Sequence, residues 1–113
     1  MPNQSSSLDQ VFHCLSNPAR RAVVERLGKA PASMTELAEP FDMAMPSLLQ
    51  HLRLLEEAGL VTSEKKGRVR TYQLNPPAFF AAETWLDQRR RDWNQRLDQL
   101  DDLLNQLNGE DNS

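Results

Sequence analysis

Four cations fall within six residues, Lys65, Lys66, Arg68 and Arg70, in the run KKGRVR. Lysine and arginine at that density suit phosphate: each contact to a duplex releases condensed counterions, whatever the base sequence. Just upstream, Ser47, Gln50 and Arg53 fall on one side of a leucine-patterned stretch, with Pro46, Leu49 and His51 flanking them. Such residues can read base edges. Gln50 suits N6 and N7 of adenine, Arg53 suits guanine or a phosphate, and Leu49 can pack on a thymine methyl. His51 has two readings, a contact to phosphate or base, or a ring that covers the edge of the core. A helix has the width of a DNA major groove, and a cationic hairpin beside it can hold the backbone. The pattern therefore points to double-stranded DNA.

The net charge of −3 argues against DNA only until its distribution is considered. Residues 1–77 hold nine Lys/Arg against eight Asp/Glu, a balance of +1, whereas residues 78–113 hold four against eight, a balance of −4. A duplex responds to charge within about a Debye length, ~8–10 Å at physiological salt, so the local cluster outweighs the acidic C-terminal third.

Other chemistry is poorly supported. There is no Gly-rich phosphate loop, nucleophile elbow or metal-ligand set, so the chain reads as not an enzyme. Zinc needs about four His, Cys or carboxylate ligands in tetrahedral reach. The soft candidates are His13, Cys14 and His51, of which the adjacent first two point to different helix faces. No metal and no cofactor is expected. Cys14, the single cysteine, reads as a small core residue rather than a redox sensor. Trp85 and Trp93 suit packing in a dimer, with an aromatic ligand pocket as the alternative, and Arg89-Arg90-Arg91 reads as a solvated turn flanked by Asp87 and Asp92.

The elements that must position these residues follow from periodicity and breakers. With 113 residues the chain is one domain, and its 39% hydrophobic content suits a protein that completes its core by pairing with a second copy. Residues 1–7 are polar and expected to be disordered. A first helix over 8–15 carries Leu8, Val11, Phe12 and Leu15 at helical spacing. Asn17-Pro18 caps and opens a second helix, with Ala22, Val23 and Leu27 inward and Gly28 at its end. Ser33 or Thr35 can cap the next short helix, and Ser33 with Glu36 has the spacing of a capping box; Leu37, Ala38 and Phe41 form its buried face, and Pro40 cuts it short or kinks it. Pro46 opens a helix over 46–58 whose Leu48, Leu52 and Leu55 face the core, and Gly59 closes it in a left-handed conformation. Residues 60–74 alternate with period two and turn near Lys66-Gly67, which predicts a hairpin with Arg68, Arg70, Tyr72 and Leu74 on one side. A long helix over 78–107 carries Phe79, Leu86, Trp93, Leu100 and Leu107 at intervals of seven, with Leu97 and Leu104 between them. Residues 108–113 are read as a disordered tail. The fold class is mainly α with a small β-hairpin (α+β): a winged helix-turn-helix over 8–107, with its helix-turn-helix at 35–58, its wing at 60–74 and a long C-terminal dimerisation helix. No apolar run approaches a membrane span, and the N-terminus lacks a signal-peptide core, so a cytoplasmic location without membrane contact is expected.

Three segments carry a family resemblance: LSNPARRAVVERL (15–27), MPSLLQHLRLLEEAGLV (45–61) and KKGRVRTYQL (65–74). The most telling is His51-Leu52-Arg53 followed by Leu55 and Glu57-Ala58-Gly59-Leu60-Val61. The chain resembles the ArsR/SmtB-type winged-helix repressors over residues 9–74, in the branch without metal sites. The resemblance implies a homodimeric bacterial repressor whose paired recognition helices read a palindromic operator. It implies DNA contacts from Pro46, Ser47, Leu49, Gln50, His51 and Arg53 on the helix and from Lys65, Lys66, Arg68 and Arg70 on the wing. It also implies a dimer interface from the first and last helices, with Leu8, Val11, Phe12, Leu86, Trp93, Leu97, Leu100 and Leu104. Two features depart from the family. The segment TELAEPFDM (35–43) has no Cys or His where many sensing members carry a Cys-x-Cys pair, and residues 78–107 contain no His. The start of the recognition helix has Ala44, Met45 and Leu49 where small polar residues are common, so its cap should be weak and its readout apolar. Relief by an inducer or protein partner is compatible with the branch. The competing reading is a winged-helix protein-interaction module using the C-terminal helix, which would have no need of the four-cation cluster.

Overall fold

A computed structural model describes residues 4–41 and 43–111. The elements are α1 (Gln4–Leu15), α2 (Pro18–Leu27), β1 (Ala32–Ser33), α3 (Met34–Ala38), α4 (Met45–Glu57), β2 (Val61–Lys66), β3 (Val69–Leu74) and α5 (Phe80–Asp111), with a 3-10 turn at Pro76–Phe79 before α5. This is the expected winged helix-turn-helix: mostly helical, with a small antiparallel sheet and a long last helix.

Local chemistry accounts for most boundaries. The Asn17 side chain accepts from the Arg20 backbone N–H at 3.1 Å, and Pro18 supplies a preset φ at the first position of α2. Ser33 and Glu36 form the reciprocal capping box of α3, with bonds of 3.2 and 3.0 Å. Gly59 ends α4 with φ 78°, which lets the Leu60 N–H reach back to the Leu55 carbonyl at 3.0 Å. Asn75 then ties the end of the wing to the end of α4, its side-chain amide donating to the Gly59 carbonyl at 2.9 Å. By contrast Gly28, at the end of α2, has φ −64°, so that stop does not use glycine's left-handed freedom.

The sheet has strand order β1-β3-β2, all antiparallel. The hairpin of β2 and β3 was expected; β1 was not. Its two residues pair Ala32 with Tyr72 and Ser33 with Thr71, and so bring the start of α3 against the middle of the wing. Two residues are too few to show a period, so composition alone reads this segment as loop.

The chain divides into two units, Met1–Ala82 and Glu83–Ser113. In the first, Val11, Val23, Leu37, Leu48, Leu52, Leu55, Leu60 and Val61 are all but fully buried and form the core. Val11 needs a correction: it is 0% exposed within its own chain and offers no surface to a second copy, whereas its neighbour Phe12 is exposed. Leu8 is half-buried against the same core. Helix α1 also begins at Gln4 rather than Leu8, because helix can extend past the apolar stripe that reveals it. Residues 1–3 of the expected disordered N-terminus lie outside the described residues.

In the second unit α5 continues through Gly109, which shows no positive φ, to Asp111, beyond the expected stop at 107. Residues 112 and 113 of the expected tail lie outside the described residues. Leu86, Trp93, Leu97, Leu100, Leu104 and Leu107 are all exposed along this helix. Arg89 pairs with Asp92 at 3.3 Å and lies 5.1 Å from the Trp85 ring centroid, and Arg90 pairs with Asp87. These arginines are engaged on a continuous helix rather than in the expected turn, paired at i, i+3 spacing with the flanking aspartates.

Candidate nucleic-acid interface

Leu48, Leu52 and Leu55 are each 0% exposed and pin one face of α4 to the core. Pro46, Ser47, Leu49, Gln50 and Arg53 are left exposed on the remaining surface. The first turn is open as well: Ala44 stands at the N-cap position and makes no side-chain capping bond.

His51 sits differently from these five. It is half-buried, with Nδ1 3.4 Å from Nη1 of Arg20. A guanidinium only donates, so Nδ1 must accept, which leaves the proton of the neutral ring on Nε2. Burial first, and then the Arg20 charge, hold the His51 pKa below the ordinary histidine value. His51 thus presents a neutral ring at the edge of the core, and Nε2–H is its remaining donor.

Arg20 itself is 7% exposed. Its Nε donates to the Cys14 carbonyl at 2.8 Å and its Nη2 to the His13 carbonyl at 3.3 Å. These carbonyls belong to the last turn of α1, where acceptors lack helical donors and the helix dipole is negative. Arg21 adds a bond to the Leu15 carbonyl at 2.7 Å. One buried guanidinium therefore joins α1, α2 and α4. Arg20 was missed as a structural residue, although it falls on the helical stripe of Val23 and Leu27 at i, i+3 and i+7.

The Cys14 thiol, 3% exposed, faces the Leu54 carbonyl at 3.4 Å. Burial pushes its pKa up, outweighing the nearby Arg20, so it stays a thiol with little nucleophilic character.

In the wing, Gly67 takes φ 62° at the first central position of the turn, where a two-residue hairpin favours glycine. The register sets Lys65 opposite Arg70 and Lys66 opposite Val69. Alternation then puts Lys65 and Arg70 on the face that carries Ser63 and buried Tyr72, and Lys66 on the other. Arg68 occupies the turn rather than sharing a strand face with Arg70. Like charges directly opposite each other are destabilising in a sheet, and Lys65 stands directly opposite Arg70.

Arg70 is held in place by two residues the sequence did not single out. Its Nη1 donates to Ser63 Oγ at 2.8 Å, and Ser63 Oγ donates to Glu56 Oε2 at 3.4 Å. Glu56 belongs to the last turn of α4, so the relay ties the wing to the recognition helix. Burial and the Glu56 charge raise the Tyr72 pKa and keep its phenol neutral. Between helix and wing runs an open cleft lined by Leu49, Arg53, Glu56, Glu57, Arg70 and Tyr72. It gathers Leu49, Arg53 and Arg70, three of the residues expected to touch DNA. The signal for Ser63 was its place on the Lys65 face of β2; nothing in the sequence marked Glu56.

Among the described residues no three His, Cys, Asp or Glu side chains gather closely enough to hold a metal ion. No helix among them is long and apolar enough to cross a membrane.

Comparison with known proteins agrees with this geometry. Residues 15–64 match a family model described as a helix-turn-helix domain. The chain is similar to the HTH-type transcriptional regulator Rv2034 of Mycobacterium tuberculosis, at 38% identity over 80% of this chain and 82% of that protein. It is also similar to the transcriptional repressor SdpR of Bacillus subtilis, at 28% identity over 70% of this chain and 88% of that one. Among solved structures, the crystal structure of an ArsR family transcriptional regulator superposes with a TM-score of 0.75 at 41% identity, covering 83% of this chain and 97% of that one.

Proposed function

The chain belongs to the ArsR/SmtB family of winged helix-turn-helix transcriptional regulators, and from that premise we propose that it is a homodimeric repressor of a palindromic operator, acting without a metal-sensing site. One observation carries the reading: the exposed face of α4 and the Lys65–Arg70 face of the wing converge on one cleft, with Arg53 and Arg70 both lining it. In this reading α4 enters the major groove, where Ser47, Gln50 and Arg53 meet base edges, His51 donates from Nε2, and Pro46 and Leu49 pack. Lys65, Lys66, Arg68 and Arg70 hold phosphates.

The exposed stripe on α5, Leu86, Trp93, Leu97, Leu100 and Leu104, is the part of the surface that calls for a second copy, with Leu8 and Phe12 contributing from α1. A dimer related by a two-fold axis would place its half-sites about one helical turn apart, ~34–36 Å. Bound across a promoter, it would exclude polymerase until a ligand or protein partner releases it. The competing interaction-module reading leaves the Lys65–Arg70 apposition unexplained.

The test is the salt dependence of binding. Each phosphate contact contributes about −0.9 to the log–log slope, so Arg68→Ala with Arg70→Ala should flatten it by up to about 3.6 in a dimer using both copies. The dimer mass in solution should be unchanged. Retention of DNA with an unaltered slope would remove the wing from the interface.

A further inference from the structure

We propose that Met45 and Leu49 select the operator sequence by packing on the C5 methyl groups of thymines. The inference rests on the DNA-binding reading above and adds a determinant of specificity to it.

Helix α4 has a full complement of core residues without these two. Leu48, Leu52 and Leu55 are 0% exposed, whereas Met45 is 47% and Leu49 44% exposed. They stand four residues apart, so they form one ridge, which Arg53 continues at the next step. Leu49 and Arg53 line the cleft together with Arg70. Leu49 lies beside these two cations, with Glu56, bonded to Ser63, and Glu57 lining the same cleft, and Met45 stands one turn ahead of it; with Lys65 opposite Arg70 on the wing, the apolar pair is placed for a polyanion that carries apolar groups on its floor. In the major groove one base-pair feature is apolar, the thymine methyl.

The pairing is selective in both directions. An aliphatic side chain over thymine removes methyl surface from water. Over the other bases it would cover a polar base-edge atom and satisfy none of its hydrogen bonds. Four residues of helix rise about 6 Å, close to two base-pair steps of ~3.4 Å. Each half-site should therefore carry two thymines about two base pairs apart, one met by Met45 at the leading end of the helix and one by Leu49.

The experiment uses the full chain and a duplex it enriches from a random pool. Each thymine is replaced in turn by deoxyuridine, which removes the methyl and leaves pairing intact. At two thymines per half-site the Kd should weaken about fourfold per methyl, the equivalent of one buried methylene, and about 15-fold when both half-sites are changed. Leu49→Ala should bind less tightly and lose its sensitivity to uridine at one of those positions, and Met45→Ala at the other. Leu49→Gln should enrich a consensus in which thymine no longer dominates that position. Both sites are exposed, and a thermal melt confirms that each variant is folded. Equal uridine penalties in wild type and variants, or none at any thymine, would overturn the assignment. A folded wild type that enriches no duplex would instead sink the DNA-binding reading beneath it.

Discussion

Replacing Arg20 tests whether one buried guanidinium organises the base of the recognition helix. Its side chain is 7% exposed and meets the Cys14 carbonyl at 2.8 Å, the His13 carbonyl at 3.3 Å and His51 at 3.4 Å. The charge is balanced by the negative end of α1. Hydrogen bonds to a charged group contribute about 1.5–3 kcal/mol each, and a buried acceptor left unmade costs about 1–3 kcal/mol. Only the Cys14 bond is both short and fully buried, so Arg20→Met, which keeps most of the packing stem, should destabilise the fold by about 2–4 kcal/mol. Arg20→Lys should recover part of this, because an ammonium can serve one carbonyl but lacks the fork that serves two. Urea unfolding followed by circular dichroism, at one protein concentration and an unchanged m-value, reads the difference as a shift in midpoint. Because the group is buried, raising the salt to about 1 M should leave the difference largely intact. Replacement of buried charges by apolar residues is neutral in some proteins. If Arg20→Met matched the wild type within about 0.5 kcal/mol, the role assigned to the guanidinium here would be wrong.

Three further outcomes are expected. His51 has a depressed pKa in the folded state, so the unfolded chain takes up a proton first as pH falls; stability should decline as pH drops from the ordinary histidine value toward the depressed one and be flat above it, and His51→Gln should remove that slope in pH-dependent melts. Ser33→Ala should cost about 1 kcal/mol by opening the α3 capping box; the backbone N–H of residue 33, which chiefly lowers the Glu36 pKa, remains, and loss of the smaller side-chain contribution should trim only part of the fall in stability below the ordinary carboxylate pKa in an acid titration. Gly59→Ala should cost about 1 kcal/mol or more in the same unfolding assay through backbone strain alone, since φ is 78° and the nearest atom to an added Cβ is the Ala78 Cβ at 4.0 Å.

What could be read from the sequence was whatever a local rule encodes. The i, i+4, i+7 leucines of α4, the Ser33–Glu36 box, the left-handed Gly59 and the turn at Gly67 each depend on neighbours within a few residues, and each is present in the structure. The features that escaped depend on contacts across the chain. Strand β1 exists because Ala32 and Ser33 meet Tyr72 and Thr71, forty residues and fewer away, in a pairing two residues cannot announce. Val11 and Phe12 both fit the apolar pattern of α1, yet one is fully buried and the other exposed, a distinction only packing makes. The cations of the wing were visible as composition. That Arg70 faces Lys65, and is steadied through Ser63 by Glu56 of α4, required the register and the fold.

The most direct measurement is to select duplexes from a random pool with the full chain and to determine the mass of the complex it forms with the winner. The expected result is a palindromic consensus with half-site centres about 10 base pairs apart, bound by two copies, with affinity falling steeply as salt rises. A folded protein that enriches nothing, or a single copy on an asymmetric site, would contradict it.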